Sequence, residues 1–244
     1  MIAERRGMPP SQKRLGVIVP SNNVVLEPDL YRMAPPGISV HFARIWSGRD
    51  TPEEMAAMID LLPRCCEDLA SAGMDVYGFG CTGGSLMGGL GYDREIIRIM
   101  EEKTSRPATS TSTAVLEAFR EFGVTRVGVV TPYEDWLNEK LKLFLKDNGI
   151  DVLALKPLPM RAGEPMNTIA PEIVCEYSRE ADRPEAQAIF ISCTDLRASE
   201  VLGAIERDLG KPAIGSNQAT LWAMLRLAKV KGPIKGFGML LERL

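Results

Sequence analysis

Two cysteines, each followed by a threonine, are the residues of this sequence best suited to chemistry. Cys81 lies in the segment Gly78-Phe-Gly-Cys-Thr-Gly-Gly-Ser85, and Cys193 lies in Ser192-Cys-Thr-Asp195. Each cysteine follows an apolar run with the character of a buried strand, and a turn comes next. Backbone N–H groups in such a turn are free to hold an anion, and they favour the thiolate form of a thiol placed among them. The two thiols are therefore candidates for nucleophilic or acid–base catalysis.

Both cysteines belong to an internal repeat. Three pairs of segments match in the same order in the two halves: residues 14–20 with 126–132, 79–82 with 191–194, and 106–108 with 211–213. The matched prolines and the matched cysteines are each 112 residues apart (132 − 20 and 193 − 81). This spacing indicates two copies of one βαβα unit.

Short apolar runs alternate with amphipathic windows along the whole chain. This alternation is typical of a mainly parallel sheet covered by helices on both faces. The predicted strands are residues 15–20, 40–45, 75–79, 126–131, 152–155 and 188–192, and the predicted helices are residues 52–72, 93–104, 113–122, 134–148, 171–180 and 198–209. The predicted fold class is therefore α/β, with two similar lobes, each a mainly parallel sheet flanked by helices, related by a pseudo-twofold axis.

The repeat also predicts how the chain is divided. We expect residues 14–112 and 217–244 to form the first lobe, which carries Cys81. Residues 113–216 form the second lobe, which carries Cys193, and residues 1–13 are expected to be flexible. Ligands of open α/β sheets bind beyond the carboxyl ends of the strands, where both cysteines lie. If the lobes face each other, the two thiols converge on one cleft between them.

The composition is typical of a folded protein and indicates neither nucleic acid nor a membrane as a partner. The chain has 244 residues, of which 45% are hydrophobic and 25% charged, with a net charge of −3. This charge provides no basic surface for nucleic acid, and no apolar run reaches the roughly 18 residues of a membrane-spanning helix. The start of the chain also lacks the apolar core of a secretory signal. We expect no nucleic-acid or membrane partner and a cytoplasmic protein, whose five cysteines stay reduced.

The first turns of the two halves carry neutral hydrogen-bond donors. Ser21 and Asn23 follow the first predicted strand, and Tyr133 follows the equivalent strand of the second half. Amide, hydroxyl and phenol groups bind a carboxylate without adding charge, so they are candidates for holding a substrate. The alternative is ordinary turn and helix-cap chemistry, which Ser and Asn also favour.

Other patterns have simpler explanations. The run Gly78-Phe-Gly-Cys-Thr-Gly83 fits the nicotinamide-binding pattern by letter, but that pattern belongs in the first βα unit with an acidic residue about 20 residues on. Cys65, Cys66 and Cys175 lie in predicted helices without zinc-ligand spacing, and His41, the single histidine, lies on a predicted strand. We therefore expect no cofactor and no metal site. The competing explanation for Cys81 and Cys193 is burial as small apolar side chains.

These features resemble the aspartate/glutamate racemase superfamily, and within it the branch of maleate cis-trans isomerases and arylmalonate decarboxylases. The likeness covers residues 14–227 and rests on both Cys-Thr turns and on Val19-Pro-Ser-Asn-Asn23, Gly89-Leu-Gly-Tyr92, Ser112-Thr-Ala-Val-Leu116 and Thr131-Pro-Tyr133. The resemblance implies two α/β lobes around a cleft, no cofactor, and chemistry at a carbon next to a carboxylate.

The resemblance also implies roles for single residues. Arylmalonate decarboxylases carry glycine where Cys81 stands, so two cysteines favour an isomerase or a racemase. Asn23 matches a substrate-binding asparagine of maleate isomerases, and Tyr133 matches a tyrosine that contacts the substrate carboxylate in both branches. A second asparagine of the isomerases aligns with Gly163, and Asn167 is the nearby candidate for its place.

The sequence therefore predicts a cofactor-independent isomerase of a small mono- or dicarboxylic acid. Maleate-type cis-trans isomerisation is favoured. The alternatives are a two-thiol racemase of the aspartate/glutamate or hydantoin type, an arylmalonate-type decarboxylase, and a non-catalytic carboxylate-binding protein. A homodimer is a further possibility, because apolar helix faces could support one. The predicted catalytic residues are Cys81 and Cys193, and the predicted substrate-binding residues are Ser21, Asn23, Thr82, Gly83, Tyr133, Thr194 and Asn167.

Overall fold

A computed structural model describes residues 13–48, 51–160 and 164–244 of the chain. Eight strands form its two sheets: β1 (Lys13–Pro20), β2 (Ile38–Ile45), β3 (Val76–Phe79), β4 (Ala108–Ser110), β5 (Arg126–Thr131), β6 (Asp151–Pro157), β7 (Ala188–Ile191) and β8 (Ala213–Gly215). Ten helices connect and cover them: α1 (Leu26–Met33), α2 (Pro52–Ala70), α3 (Thr82–Leu86), α4 (Tyr92–Thr104), α5 (Thr111–Phe122), α6 (Asp135–Asp147), α7 (Pro171–Ala181), α8 (Leu202–Leu209), α9 (Ser216–Leu227) and α10 (Met239–Glu242).

The strands form two four-stranded sheets with the same connectivity. The first has the order β2-β1-β3-β4 and the second β6-β5-β7-β8, and every pairing is parallel. All six predicted strands are present, and so is the repeat that the sequence predicts. The predicted α/β class with two similar lobes is confirmed.

The strands form where apolar residues run without interruption, because both faces of each sheet are covered. Six consecutive residues of β1, from Leu15 to Pro20, are buried, and so are all four residues of β7. The predicted helix ends are also present. The Thr51 hydroxyl accepts a hydrogen bond from the Glu54 N–H (3.3 Å) at the start of α2, and Gly123 ends α5 with φ +65°.

Three features of the fold differ from the sequence prediction. Strands β4 and β8 have only three residues each and lack an apolar run long enough to recognise. Helices α1 and α10 were not predicted either. The predicted helix 198–209 is interrupted, because a short 3₁₀ helix, Ala198–Glu200, precedes α8.

Two helices cross between the sheets. The Met224 side chain of α9 packs so closely on Gly78 of the first sheet that a Cβ at Gly78 would lie 2.6 Å from its sulfur. Phe119 of α5 packs edge-on against Phe190 of the second sheet, with ring centroids 5.7 Å apart. Both contacts support the predicted division of the chain, which stays a prediction. Residues 1–12 of the segment expected to be flexible lie outside the described part, and Lys13 begins β1.

No helix in the described ranges is long and apolar enough to cross a membrane.

Candidate active site

The two cysteine turns open into one cleft between the sheets. The cleft has a volume of about 950 Å³, and both Cys81 and Cys193 belong to its wall. These residues are 7% and 6% exposed, so each thiol reaches the cleft while most of its surface is packed. The two thiols therefore converge on one cleft, as the repeat predicts.

The backbone at the end of β3 places Cys81 directly before α3. Cys81 has an extended conformation (φ −146°, ψ 112°), and its Sγ accepts a hydrogen bond from the Gly84 N–H at 3.2 Å. A Cβ at Gly84 would lie 3.0 Å from this sulfur and 3.3 Å from the Phe79 ring. Glycine at position 84 therefore permits the close approach of the backbone to the thiol.

Cys193 occupies a different local structure. Its φ of +137° is rarely adopted by a residue with a side chain, and no helix follows it directly. Its Sγ accepts a hydrogen bond from the Asp195 N–H at 3.3 Å, and its own N–H donates to the Ser216 hydroxyl at 3.1 Å. The Met166 sulfur lies 3.4 Å from the Cys193 sulfur. Such a conformation costs on the order of 1–3 kcal/mol and persists only where the surrounding structure holds it.

The two thiols thus share one feature despite their different turns. Each sulfur accepts a backbone N–H from a residue two or three positions further along the chain. Hydrogen bonds of this kind favour a thiolate over a thiol, which is the form that adds to carbon or removes a proton.

Tyr133 lies buried against both cysteine turns. Its hydroxyl accepts a hydrogen bond from the Ser192 hydroxyl at 3.2 Å. Burial raises the pKa of Tyr133 well above its ordinary value, and the nearby Cys193 and Cys81 thiols raise it further, against the opposing hydrogen bonds of Ser192 and Thr82. The phenol therefore stays neutral and is a hydrogen-bond donor close to both sulfurs.

Asn23 and Thr194 join the two lobes at the cleft wall. The Asn23 side-chain N–H donates to the Thr194 hydroxyl at 3.1 Å, and the Thr194 hydroxyl donates to the Gly80 carbonyl at 3.3 Å. The Asn23 carbonyl oxygen accepts the N–H groups of Val25 and Leu26 at 3.0 and 2.9 Å, at the start of α1. Asn23 thus lines the cleft as predicted, and it also performs the helix-cap role that the sequence left open.

Asp195 is a site residue whose side chain the sequence prediction missed. Its carboxylate accepts the N–H groups of Val24 (2.9 Å) and Val25 (3.2 Å), and it also accepts the side-chain N–H of Asn167 (2.9 Å). Burial raises the pKa of this carboxyl above its ordinary value, and the three hydrogen bonds oppose the shift. Asn167 lines the cleft, as predicted, but one of its side-chain N–H groups already donates a hydrogen bond to Asp195.

Most of the predicted binding residues meet at the cleft, and Ser21 does not. The wall contains Asn23, Thr82, Gly83, Tyr133, Asn167 and Thr194. The Ser21 hydroxyl instead donates to the Ser47 carbonyl (3.2 Å) and accepts the Ser47 N–H (3.0 Å), which fastens the turn after β1 to the loop after β2. Asn22 and Ser47 line the cleft in its place. Gly163 lies outside the described residues.

Sequence reasoning also missed Ser216 and the apolar side of the cleft. Ser216 is fully buried at the start of α9, where its hydroxyl meets both cysteine turns. The signal was present, because the repeated segment at residues 211–213 ends three residues before Ser216. The apolar wall comprises Met55, Met58, Trp136, Leu137, Met160 and Met166. Within the described ranges, no group of three or more His, Cys, Asp or Glu side chains could hold a metal ion.

Known proteins are similar to this chain over nearly its whole length. The chain is 27% identical over 241 residues to a maleate isomerase of Nocardia farcinica (95% of this chain, 96% of the relative). It is 30% identical over 214 residues to the arylmalonate decarboxylase of Bordetella bronchiseptica (86% and 85%). A solved structure of a cysteine-to-serine mutant of the Nocardia farcinica maleate cis-trans isomerase, with a covalently bound succinylcysteine intermediate, superposes with a TM-score of 0.88 at 26% identity, covering 94% of this chain and 98% of that one.

The family-level comparison covers both halves of the repeat. The family model described as arylmalonate decarboxylase matches residues 15–241, a span that includes both cysteine turns and all the strands after the first two residues of β1. The chain therefore belongs to the arylmalonate decarboxylase family.

Proposed function

We propose that this protein is a cofactor-independent isomerase that converts a small cis-enedioate, with maleate as the favoured substrate, into its trans isomer through Cys81 and Cys193. One observation carries the proposal: thiols from both halves of the repeat line one cleft, and each sulfur accepts a backbone N–H. Binding a carboxylate needs no thiol, so two activated thiols favour catalysis over simple binding.

The reaction begins with the Cys81 thiolate. It adds to one alkene carbon, a C–S bond forms, and the π electron pair moves onto the adjacent carbon and its carboxylate. The Cys193 thiol gives its proton to that carbon and becomes a thiolate. The former double bond is now single, so its two ends rotate. Cys193 then removes the proton, the C–S bond breaks, and the Cys81 thiolate leaves the trans product.

Charge builds up on a substrate carboxylate while the enediolate exists. A neutral donor beside that oxygen stabilises it without repelling or neutralising the thiolate. Tyr133 fits this role, because its hydroxyl is buried near both sulfurs and stays protonated. Asn23, Thr82, Gly83, Thr194 and Asn167 are proposed to bind the substrate as well, since they line the same wall.

The local structures favour Cys81 as the nucleophile and Cys193 as the acid and base. Cys81 has an unstrained backbone and a helix directly after it. Cys193 is held in a left-handed conformation between Ser216 and Asp195, which fixes the direction of its sulfur. The covalent succinylcysteine in the related isomerase structure supports addition of a cysteine to the alkene carbon.

Racemisation is the second candidate, because the repeat places the two thiols on opposite lobes. One thiolate would remove an α-proton and the opposite thiol would reprotonate the other face, as a coupled pair. An arylmalonate-type decarboxylase is the weaker match. The resemblance places glycine in those enzymes at the position that Cys81 occupies here.

Three assays separate these functions. We expect the protein to convert maleate to fumarate, and proton NMR detects this conversion. Deuterium from D₂O at the α-carbon of a chiral acid, without maleate conversion, would instead establish the racemase. Carbon dioxide release from an arylmalonate would establish the decarboxylase. Stabilisation by a carboxylate without any product would leave a binding protein.

Three further features are part of the proposal. The substrate is a small mono- or dicarboxylate, the protein is cytoplasmic, and it forms a homodimer. Sedimentation velocity tests the dimer, and a single species with the mass of one 26.8 kDa chain would contradict it.

A further inference from the structure

The Ser216 hydroxyl contacts the backbone or side chain of both cysteine turns. It accepts a hydrogen bond from the Cys193 N–H at 3.1 Å and one from the Thr82 hydroxyl at 3.0 Å. Thr82 directly follows Cys81, so one oxygen atom lies between the two thiol-bearing segments. Ser216 is 0% exposed, so this oxygen is buried between the two segments.

Asn217, the next residue of α9, also binds the Cys193 turn. Asn217 donates from its side-chain amide to the Thr194 carbonyl at 3.1 Å and to the buried Asp29 carboxylate at 2.8 Å. Ser216 thus binds the N–H of Cys193, and Asn217 binds the carbonyl of Thr194. Cys193, with its left-handed φ, lies between these two hydrogen bonds, and the hydrogen bonds offset the strain of that backbone conformation.

The other half of the repeat has only part of this arrangement. At the start of α5, Ser112 donates to the Thr82 carbonyl at 3.4 Å, which matches the contact of Asn217 with the Thr194 carbonyl. Thr111, the counterpart of Ser216, instead donates to the Phe79 carbonyl at 3.2 Å. Of these two equivalent positions, Ser216 is the one whose hydroxyl binds a cysteine amide and reaches the opposite turn.

We propose that Ser216 is a positioning residue that orients Cys193 and fixes the Cys193 turn relative to the Cys81 turn. Without its hydroxyl, the Cys193 N–H loses its buried acceptor, and the left-handed conformation loses one of its supports. The Cys193 sulfur then changes its direction and its access to the cleft. The inference rests on the two-cysteine site of the proposed function.

The experiment compares Ser216→Ala with Ser216→Thr and with Thr220→Val. Threonine keeps the hydroxyl and is the residue found at the equivalent position 111. Thr220 lies one turn further along α9, and its hydroxyl contacts Thr111 and the Ser216 carbonyl instead of a cysteine turn. Thr220→Val therefore removes a buried hydroxyl from the same helix without touching the proposed contact.

Two readouts are measured in each variant. The first is the ratio of the alkylation rates of Cys193 and Cys81 by iodoacetamide, from peptide mass mapping, which needs no substrate. The second is kcat and KM with maleate. We expect Ser216→Ala to change the alkylation ratio about tenfold, as for the loss of one hydrogen bond, and to lower kcat about 10²-fold with little change in KM.

The outcomes separate positioning from a general loss of stability. Restoration of both readouts by Ser216→Thr, with little effect of Thr220→Val, supports the inference. An unchanged alkylation ratio in Ser216→Ala would overturn it, as would an equal change in Thr220→Val. If Ser216→Ala does not fold, Ser216→Cys replaces it, because sulfur is a weaker acceptor than oxygen. A wild-type protein inactive on maleate would contradict the proposed function and still leave the alkylation test valid.

Discussion

The side-chain amide of Asn23 donates a hydrogen bond of 3.1 Å to the hydroxyl of Thr194, a residue 171 positions away. This contact joins the first turn of one lobe to the cysteine turn of the other. Because both residues are buried in the cleft wall, the bond fixes how the two lobes face each other around the cleft.

Substitutions of Asn23 separate its two roles. Asn23→Ala removes both the oxygen that caps α1 and the donor to Thr194, so we expect a loss of about 1 kcal/mol in the free energy of unfolding and a loss of activity. Asn23→Ser keeps an oxygen that caps helices well and is too short to reach Thr194, so we expect near-normal stability and kcat/KM lowered about 10²-fold. Thermal unfolding and maleate turnover measure the two effects. Full activity of Asn23→Ser would show that the amide donor is not needed.

Gly84→Ala tests the close approach of the backbone to the Cys81 thiol. The added methyl would lie 3.0 Å from Sγ and 3.3 Å from the Phe79 ring, so we expect the thiol to be displaced and kcat to fall about 10²-fold. Gly203→Ala in α8 is the matched control, because the added methyl would meet only the flexible end of Arg207, at 3.4 Å. We expect that variant to be fully active. Equal kcat for the two variants would contradict this account of Cys81.

Tyr133→Phe tests the neutral hydrogen-bond donor. Since the pKa of Tyr133 is raised, its phenol loses the proton only above its ordinary value of 10.0, and below that pH it remains a donor. We therefore expect Tyr133→Phe to lower kcat by about 10²–10³, by the same factor at every pH below 10.0. Tyr31→Phe, at a half-exposed tyrosine remote from the cleft wall, is the control. A loss of rate that disappears towards alkaline pH below that value would show that Tyr133 ionises instead.

The fold was largely predictable from the sequence because its strands are buried on both faces. Runs such as Leu15 to Val19 have no polar interruption. The repeat predicts that the strands of the second sheet are connected in the same way as those of the first. Strand β4 could not be recognised, because three residues pairing with the edge of β3 are too short for a pattern. Helix α1 has only eight residues and a proline at its third position, so the apolar spacing of Leu26, Leu30 and Met33 is too short to stand out.

The residues of the cleft wall were predictable where the repeat or the family resemblance marks them. The two cysteines and their threonines follow from the matched segments, whereas the Ser216 and Asp195 side chains act through contacts between residues far apart in the chain. No local pattern shows that the Asp195 carboxylate binds backbone N–H groups of Val24 and Val25. Ser21 illustrates the opposite error, because its type and place fit a ligand-binding turn while its hydroxyl is bound to Ser47.

The most direct test of the two-cysteine mechanism is peptide mass mapping of the Cys193→Ser variant after incubation with maleate. In this variant the serine hydroxyl or water supplies the proton to the adjacent carbon, and loss of the thiol base slows its removal, so the adduct on Cys81 should accumulate. We expect a succinyl group on the peptide containing Cys81, located at Cys81 rather than at Cys65 or Cys66, and no adduct in Cys81→Ala. Full turnover by Cys81→Ala, or a succinyl group on another cysteine with Cys81 unmodified, would contradict it.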